Sequence, residues 1–458
     1  MNATTLNLNR LLCAALLPLL FGAQLNCSHS VPTPSLAQAT TQSASVCYDD
    51  GIGCGTPKLG AVHIGLLFNA LPAQTTALMY ANAQQAMLQV DRIGTYWDWF
   101  MDHNGNYSPA GPYLQQLDAQ IARDFDNGVT PEFLLGTEAP NSMPGLPGPD
   151  NLPNWTYYPS EEAAFNALAD ILANLVARFP TVKYWELFNE MDSAGFTTLF
   201  TGAGQASCPN QRGQIYGQML NVVVPAARRV NPSIHILMGG MGAATDVLEN
   251  SSFSSACGIS LDFDTGLPQT MAGFLVGIYS AGAGTNFDIV NAHAYADSTY
   301  SYGNPADVNI DPRFRAISAS LHQVVLAQRD TSKQFWITES GTSGADDVNS
   351  GTCGGNSGLG SCIDQAQVNV LGSVVNDLMQ NHLFDVAIIY AVCAGSGGTP
   401  NSSYNQYLLE GTTVNDYGYQ ILRSDDTTLR PMFSWLIQRN DCLSQGGSMF
   451  TTNWNCLN

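Results

Sequence analysis

Charge is the scarcest commodity in this sequence. Only 12% of the 458 residues are charged, and the basic share is the smaller: 16 Lys plus Arg against 37 Asp plus Glu, a net charge of −21. A surface with that field repels nucleic acid and anionic membrane, which leaves a neutral or cationic ligand. Long apolar runs are lacking as well. The run at residues 11–21 is too short to span a bilayer, and no other segment is long and apolar enough to do so. There is no Cys-x-x-Cys pair with a matching His cluster, so a zinc site has weak support and no metal is expected. No Gly-x-Gly-x-x-Gly turn follows the first apolar strand, which removes the main sign of a dinucleotide site. No cofactor is implied, and no internal repeat is present.

What is there begins with Arg10 and the apolar residues 11–21, the pattern of a signal-peptide core. Residues 1–27 are assigned to the signal, which extends to 39 if cleavage follows Ala39 rather than Ala23. Cys27 stands where a lipoprotein cysteine would, but Gln24-Leu25-Asn26 is a poor lipobox, which ranks an anchor below simple secretion. Residues 28–56 read as a flexible lead-in rich in Ser, Thr, Ala, Gln and Pro, ending in a disulfide loop. The expected product is an extracellular or periplasmic monomer with no stable membrane insertion. Of eleven cysteines, eight fall into sequence-local pairs in loop-like surroundings: Cys47 with Cys54, Cys208 with Cys257, Cys353 with Cys362 and Cys442 with Cys456. Proximity suggests these pairings without proving them.

From residue 57 to 436, short apolar runs alternate with helical patterns. Strands are expected at 61–68, 91–97, 131–136, 182–188, 233–239, 287–293, 334–338 and 385–391. Helical periodicity marks 163–178, 216–229, 316–328 and 368–380; in the first of these Ala164, Leu168, Ile171, Leu172 and Leu175 share one face. Near-continuous apolar strands imply a parallel sheet covered by helices. Eight of them point to an α/β fold, a closed (β/α)8 TIM barrel in a single catalytic domain, with a doubly wound sheet as the alternative. Residues 437–458 read as a tail pinned under the barrel by its cysteines.

Catalytic groups of such a barrel sit at the carboxyl ends of its strands. The fourth strand gives Tyr184-Trp185-Glu186-Leu187-Phe188-Asn189-Glu190-Met191-Asp192, an aromatic strand ending in an amide and a carboxylate. A carboxyl group in an apolar collar has reason to keep its proton at neutral pH. The second strand carries Arg92 and then Trp97 and Trp99, whose rings are candidates for stacking on sugars, with Trp155 and Tyr157 less so. The sixth ends in His293-Ala294-Tyr295 and the seventh in Glu339. Two carboxyl groups facing across a barrel mouth are the equipment for breaking a glycosidic bond. Their separation, which decides between retention and inversion of configuration, is not in the sequence.

Asn189-Glu190 and Glu339 resemble the acid/base and nucleophile of glycoside hydrolase clan A. The stretch from Arg92 through Trp99, with Gly105-Asn106-Tyr107, Leu117-Asp118 and Asn127-Gly128-Val129, is similar to glycoside hydrolase family 39, and His293-Ala294-Tyr295 resembles a family 5 element. The resemblance implies a retaining barrel enzyme acting on carbohydrate, with Glu190 as acid/base and Glu339 as nucleophile. It further implies that Asn189 contacts a substrate hydroxyl, Tyr295 donates to Glu339, Arg92 supports the nucleophile and His293 lines the first subsite. The sequence departs from the clan at the eighth strand, where Tyr390-Ala391-Val392-Cys393 offers no Trp, and it has no room for the β-sandwich that family 39 xylosidases often append. A catalytically silent carbohydrate-binding barrel is the alternative.

Overall fold

The structure is a computed structural model. It describes residues 46–54, 57–62, 64, 73–102, 106–109, 112–136, 160–192, 208–242, 269–295, 312–341, 375, 382–389 and 431–444. The signal segment, most of the lead-in, the end of the tail and the cysteines Cys257, Cys353, Cys362 and Cys456 lie outside these residues.

Eight strands form a closed parallel barrel: β1 (Lys58–Val62), β2 (Leu88–Tyr96), β3 (Thr130–Gly136), β4 (Tyr184–Asn189), β5 (His235–Gly242), β6 (Ile289–Tyr295), β7 (Gln334–Gly341) and β8 (Val386–Ile389). Each pairs with the next, and β8 returns to β1 with Lys58 opposite Val386. The expected barrel is therefore the observed one. The intervening helices include α1 (Ala73–Gln85), α2 (Pro112–Asp126), α3 (Glu161–Arg178), α4 (Pro209–Val230), α5 (Gln269–Ser280) and α6 (Pro312–Ala327), with α7 (Pro431–Ser444) after the last strand. Of the helix expected at 368–380, Val375 is described and is helical.

Helix α3 shows how the sequence specifies such an element. Ser160 caps it by accepting the amide of Ala163, Glu161 and Glu162 fill the first turn, and Arg178 lies in the last. Those charges complement the helix dipole at both ends. Its apolar stripe, Ala164, Leu168, Ile171, Leu172 and Leu175, is buried as the periodicity requires.

Strand boundaries differ from expectation in an instructive way. Strand β1 starts at Lys58, earlier than residue 61, because β8 pairs from that point. Strands β5 and β7 run on to Gly242 and Gly341, past the ends expected at 239 and 338. Glycine normally signals a stop; here Asn189–Gly240 and Tyr295–Gly341 remain in register. The boundary expected at 436/437 falls inside α7, because the helix that begins at Pro431 is continuous through it. Asn440 of α7 donates to the Gln85 carbonyl at the end of α1, 3.1 Å away.

The core has two parts. One lies between strands and helices; the other fills the barrel and includes Val90, Tyr184, Leu237, Ile289, Trp336 and Ile388. The disulfide loop closes the end of the barrel at which the strands begin. Cys47 is bonded to Cys54, Ile52 joins the inner core, and Tyr48 stacks on His235 with ring centroids 3.7 Å apart. Gln334 Nε2 donates to the carbonyls of Val46 and Ile52, and Tyr184 donates to Asp50. Cys208 and Cys442 are also disulfide-bonded. Among the described residues, no helix is long and apolar enough to cross a membrane.

Candidate active site

Strand β4 sets up the site by breaking its own alternation. Tyr184 and Glu186 point into the barrel, while Trp185 and Leu187 pack outward. Phe188 then adopts a left-handed φ of 67° and stays in the outer core, so that Asn189 turns inward. Glu190 follows with φ 51°. A non-glycine residue held there costs about 1–3 kcal/mol, a strain that tends to collect at functional sites. Strand β7 has a matching irregularity, where its register with β6 slips between Ala292 and His293 and brings Glu339 opposite His293.

These distortions bring five of the expected residues together. Arg92 donates from Nη1 to Glu339 Oε1 at 2.6 Å and from Nη2 to Asn189 Oδ1 at 2.9 Å. The Arg92 bond fixes the Asn189 amide with its oxygen turned back and its NH2 available. His293 Nδ1 lies 2.9 Å from Glu190 Oε1 and 3.5 Å from Glu339 Oε2. One ligand atom each of Glu190, His293 and Glu339 lie within 4.8 Å of one another. The two carboxyl groups are therefore close enough to act on the two sides of one anomeric centre.

Close backbone approach makes this possible. A Cβ on Gly240 would sit 2.1 Å from His293 Nε2, and one on Gly242 would sit 2.5 Å from the Glu190 carboxyl. Asp192 secures the same corner: its Oδ1 accepts the Gly242 amide at 2.8 Å, and Arg212 Nε donates to its carbonyl. Tyr216 fastens β4 to β5 by donating to the Leu187 carbonyl while accepting the Gly239 amide.

Electrostatics follow from burial and neighbours. Burial alone would lower the pKa of His293, but Glu339 and Glu190 outweigh it and raise the imidazole above its usual value. Burial lifts Asp192 to about 7, opposed by the Gly242 amide and helped by nearby Glu190. The trio of Glu190, His293 and Glu339 has metal-ligand types at chelating distance, yet its surroundings disfavour a cation. Arg92 already places a positive charge on Glu339, and among the described residues His293 Nε2 has no polar partner of the kind that orients a ligating imidazole.

Two expectations change. Trp97 and Trp99 do not offer ring faces: a single 3-10 turn, Trp97–Phe100, folds them onto the outer core, where they are 1% and 5% exposed. An indole directly after a strand end has a large apolar area to bury and a nearby core to receive it. The backbone of Tyr295 ends β6 opposite Gly341, while its side chain, Trp155 and Tyr157 lie outside the described residues. Glu186, Asn291, Thr338, Gly240 and Gly242 belong to the site as well, and the strand-end rule does not single them out. Glu186 had a signal, because a carboxylate in the middle of an apolar strand needs a buried partner.

Neither a protein-family model nor a curated protein matches the sequence. Solved structures match by shape. A family 39 glycoside hydrolase from the gut symbiont Bacteroides cellulosilyticus WH2 superimposes with a TM-score of 0.52 at 16% identity, covering 83% of this chain and 63% of that one. The chain thus spans less than two thirds of that protein's length. A glucosidase from Croceicoccus marinus gives 0.51 at 15% identity, covering 84% and 68% of the two chains. A GH5-4 broad specificity endoglucanase from Clostridium longisporum gives 0.50 at 11% identity, covering 83% and 94%. At these identities the likeness establishes the fold, an eight-stranded barrel shared with glycoside hydrolases.

Proposed function

We propose that the protein is an exported, retaining β-glycosidase that cleaves a polysaccharide or its fragments. The observation that carries this reading is the approach of Glu190 and Glu339 within 4.8 Å at the ends of β4 and β7. Retaining glycosidases hold their two carboxyl groups about 5–5.5 Å apart, whereas inverting ones need about 6.5–9.5 Å to admit water.

In this mechanism Glu190 protonates the glycosidic oxygen while Glu339 attacks the anomeric carbon. The leaving group departs, and an ester forms between the sugar and Glu339. Glu190, now a carboxylate, takes a proton from water as that water attacks the same carbon, which regenerates Glu339. Arg92 stabilises Glu339 as an anion through its 2.6 Å hydrogen bond. Asn189, oriented by Arg92, presents its NH2 to a hydroxyl of the bound sugar. His293 holds the Glu190 carboxyl from the side as its proton leaves and returns.

Screening aryl β-glycosides and polysaccharides tests the proposal. Turnover by the wild type, abolished in Glu190→Gln and in Glu339→Gln with the fold intact, supports it. Binding without turnover makes the chain the silent carbohydrate-binding barrel instead, and full activity in either variant overturns the assignment.

A further inference from the structure

Beneath the reacting groups, three carboxyl side chains share one guanidinium. Glu186, Glu339 and Glu132 lie 2.6, 2.6 and 3.7 Å from nitrogens of Arg92. Glu132 and Glu186 are both fully buried, yet their surroundings are opposite. Glu186 accepts hydrogen bonds from Arg92 Nε and Nη2, the Gly240 amide and Asn291 Nδ2, with Thr338 Oγ1 at 3.4 Å. Four strands thus supply donors to one carboxylate. Among the described residues, neither oxygen of Glu132 has a hydrogen-bond partner.

We propose that Glu186 is the positioning residue of this site, gripping Arg92 in the one orientation from which it reaches Glu339 and Asn189 together, while Glu132 beside it carries a proton and no charge. The donor geometry requires the grip. Arg92 spends Nε and one N–H of Nη2 on Glu186, which leaves the other Nη2 hydrogen for Asn189 and Nη1 for Glu339. A planar guanidinium pinned at two points has no rotation left, so both remaining contacts are fixed at once. Glu186 is itself locked from β5, β6 and β7, so the orientation is referred to the barrel rather than to a loop.

The proton on Glu132 follows from the same inventory. A buried carboxylate without donors is costly, and the adjacent Glu186 anion offers an acceptor for a carboxylic O–H. Burial and the charge of Glu186 both push the Glu132 carboxyl well above the usual range, against the opposing charge of Arg92. Glu132 is level with Tyr184 of the inner apolar core, below the reacting groups. Two buried glutamates that look equivalent in the sequence are therefore chemically distinct.

This inference rests on the glycosidase reading for its kinetic arm, so the test has one arm that does not depend on activity. Crystal structures of Glu186→Gln and Glu132→Gln are compared with that of the wild type. Arg92 is expected to swing away from Glu339 and Asn189 in Glu186→Gln and to stay in place in Glu132→Gln. Arg92 unmoved in Glu186→Gln, or moved equally in both, overturns the proposal even if no substrate is ever found. In the kinetic arm, Glu186→Gln lowers kcat by about 100-fold with little change in KM, the loss that a misplaced catalytic contact produces. Glu132→Gln stays within a few-fold of wild type. In an Arg92→Lys background, Glu186→Gln adds little, because its effect runs through Arg92. Additive losses contradict the positioning role. Absence of any glycoside turnover by the wild type removes the glycosidase reading and leaves the structural arm decisive.

Discussion

One oxygen of Glu190 lies within 4.8 Å of one oxygen of Glu339, although the two residues come from β4 and β7, on different sides of the barrel. That spacing has a stereochemical consequence. NMR of the first-formed product from a β-glycoside should show the β anomer. The α anomer would mean that water, not Glu339, attacks the sugar.

Two glycines make the spacing possible. A methyl group at Gly242 would overlap the Glu190 carboxyl, and one at Gly240 would overlap His293. Gly242→Ala and Gly240→Ala should each lower kcat/KM by about 100-fold, the penalty for moving a catalytic group by roughly 1 Å. Circular dichroism should remain that of the wild type, because only the ends of the strands are disturbed. Wild-type kinetics in both variants would show that the site tolerates looser packing than this geometry implies.

Asp192 predicts a pH dependence of stability. Its carboxyl titrates near 7 in the folded chain and near the ordinary value of about 3.9 when unfolded. Between those values the folded state holds the proton that the unfolded state has released, so stability falls as pH rises and the penalty is complete above about 7. Its ceiling is on the order of 4 kcal/mol. Asp192→Asn removes the ionisation. Urea unfolding should show the variant gaining on the wild type between pH 4 and pH 8. A difference independent of pH would mean that Asp192 ionises in place.

The loop closed by Cys47 and Cys54 covers the barrel floor, far from the reacting groups. The two cysteines are seven positions apart, and closing a loop that short stabilises by about 2–3 kcal/mol in the chain-entropy account. Cys47→Ser with Cys54→Ser should lower the melting temperature by several degrees and leave kcat/KM at 25 °C unchanged. An unchanged melting temperature would show that the contacts of Ile52 and Tyr48 hold the loop without the bond.

Much of this was legible in the sequence because it follows from pattern. Apolar runs alternating with helical periodicity gave the barrel, and the strand-end rule singled out Glu190, Glu339, Arg92, Asn189 and His293, which the structure gathers into one cluster. The fate of Trp97 and Trp99 was not legible, because a ring that stacks on sugar and a ring that folds back onto a core have the same local sequence. The functions of Gly240 and Gly242 were hidden for a related reason. Glycine in a strand reads as an ending, and only the neighbouring strands reveal that a side chain must pass over it. Glu132 and Glu186 differ in charge through contacts made by four other strands, which local sequence does not contain.

Covalent trapping tests the central claim most directly. The 2-deoxy-2-fluoro analogue of whichever aryl β-glycoside is turned over should glycosylate the wild-type protein stoichiometrically with release of the aryl alcohol, and peptide mass spectrometry should place the sugar on Glu339. Glu339→Gln should take up none. A sugar found on Glu190 or on any other residue would contradict the assignment of the two carboxyl groups.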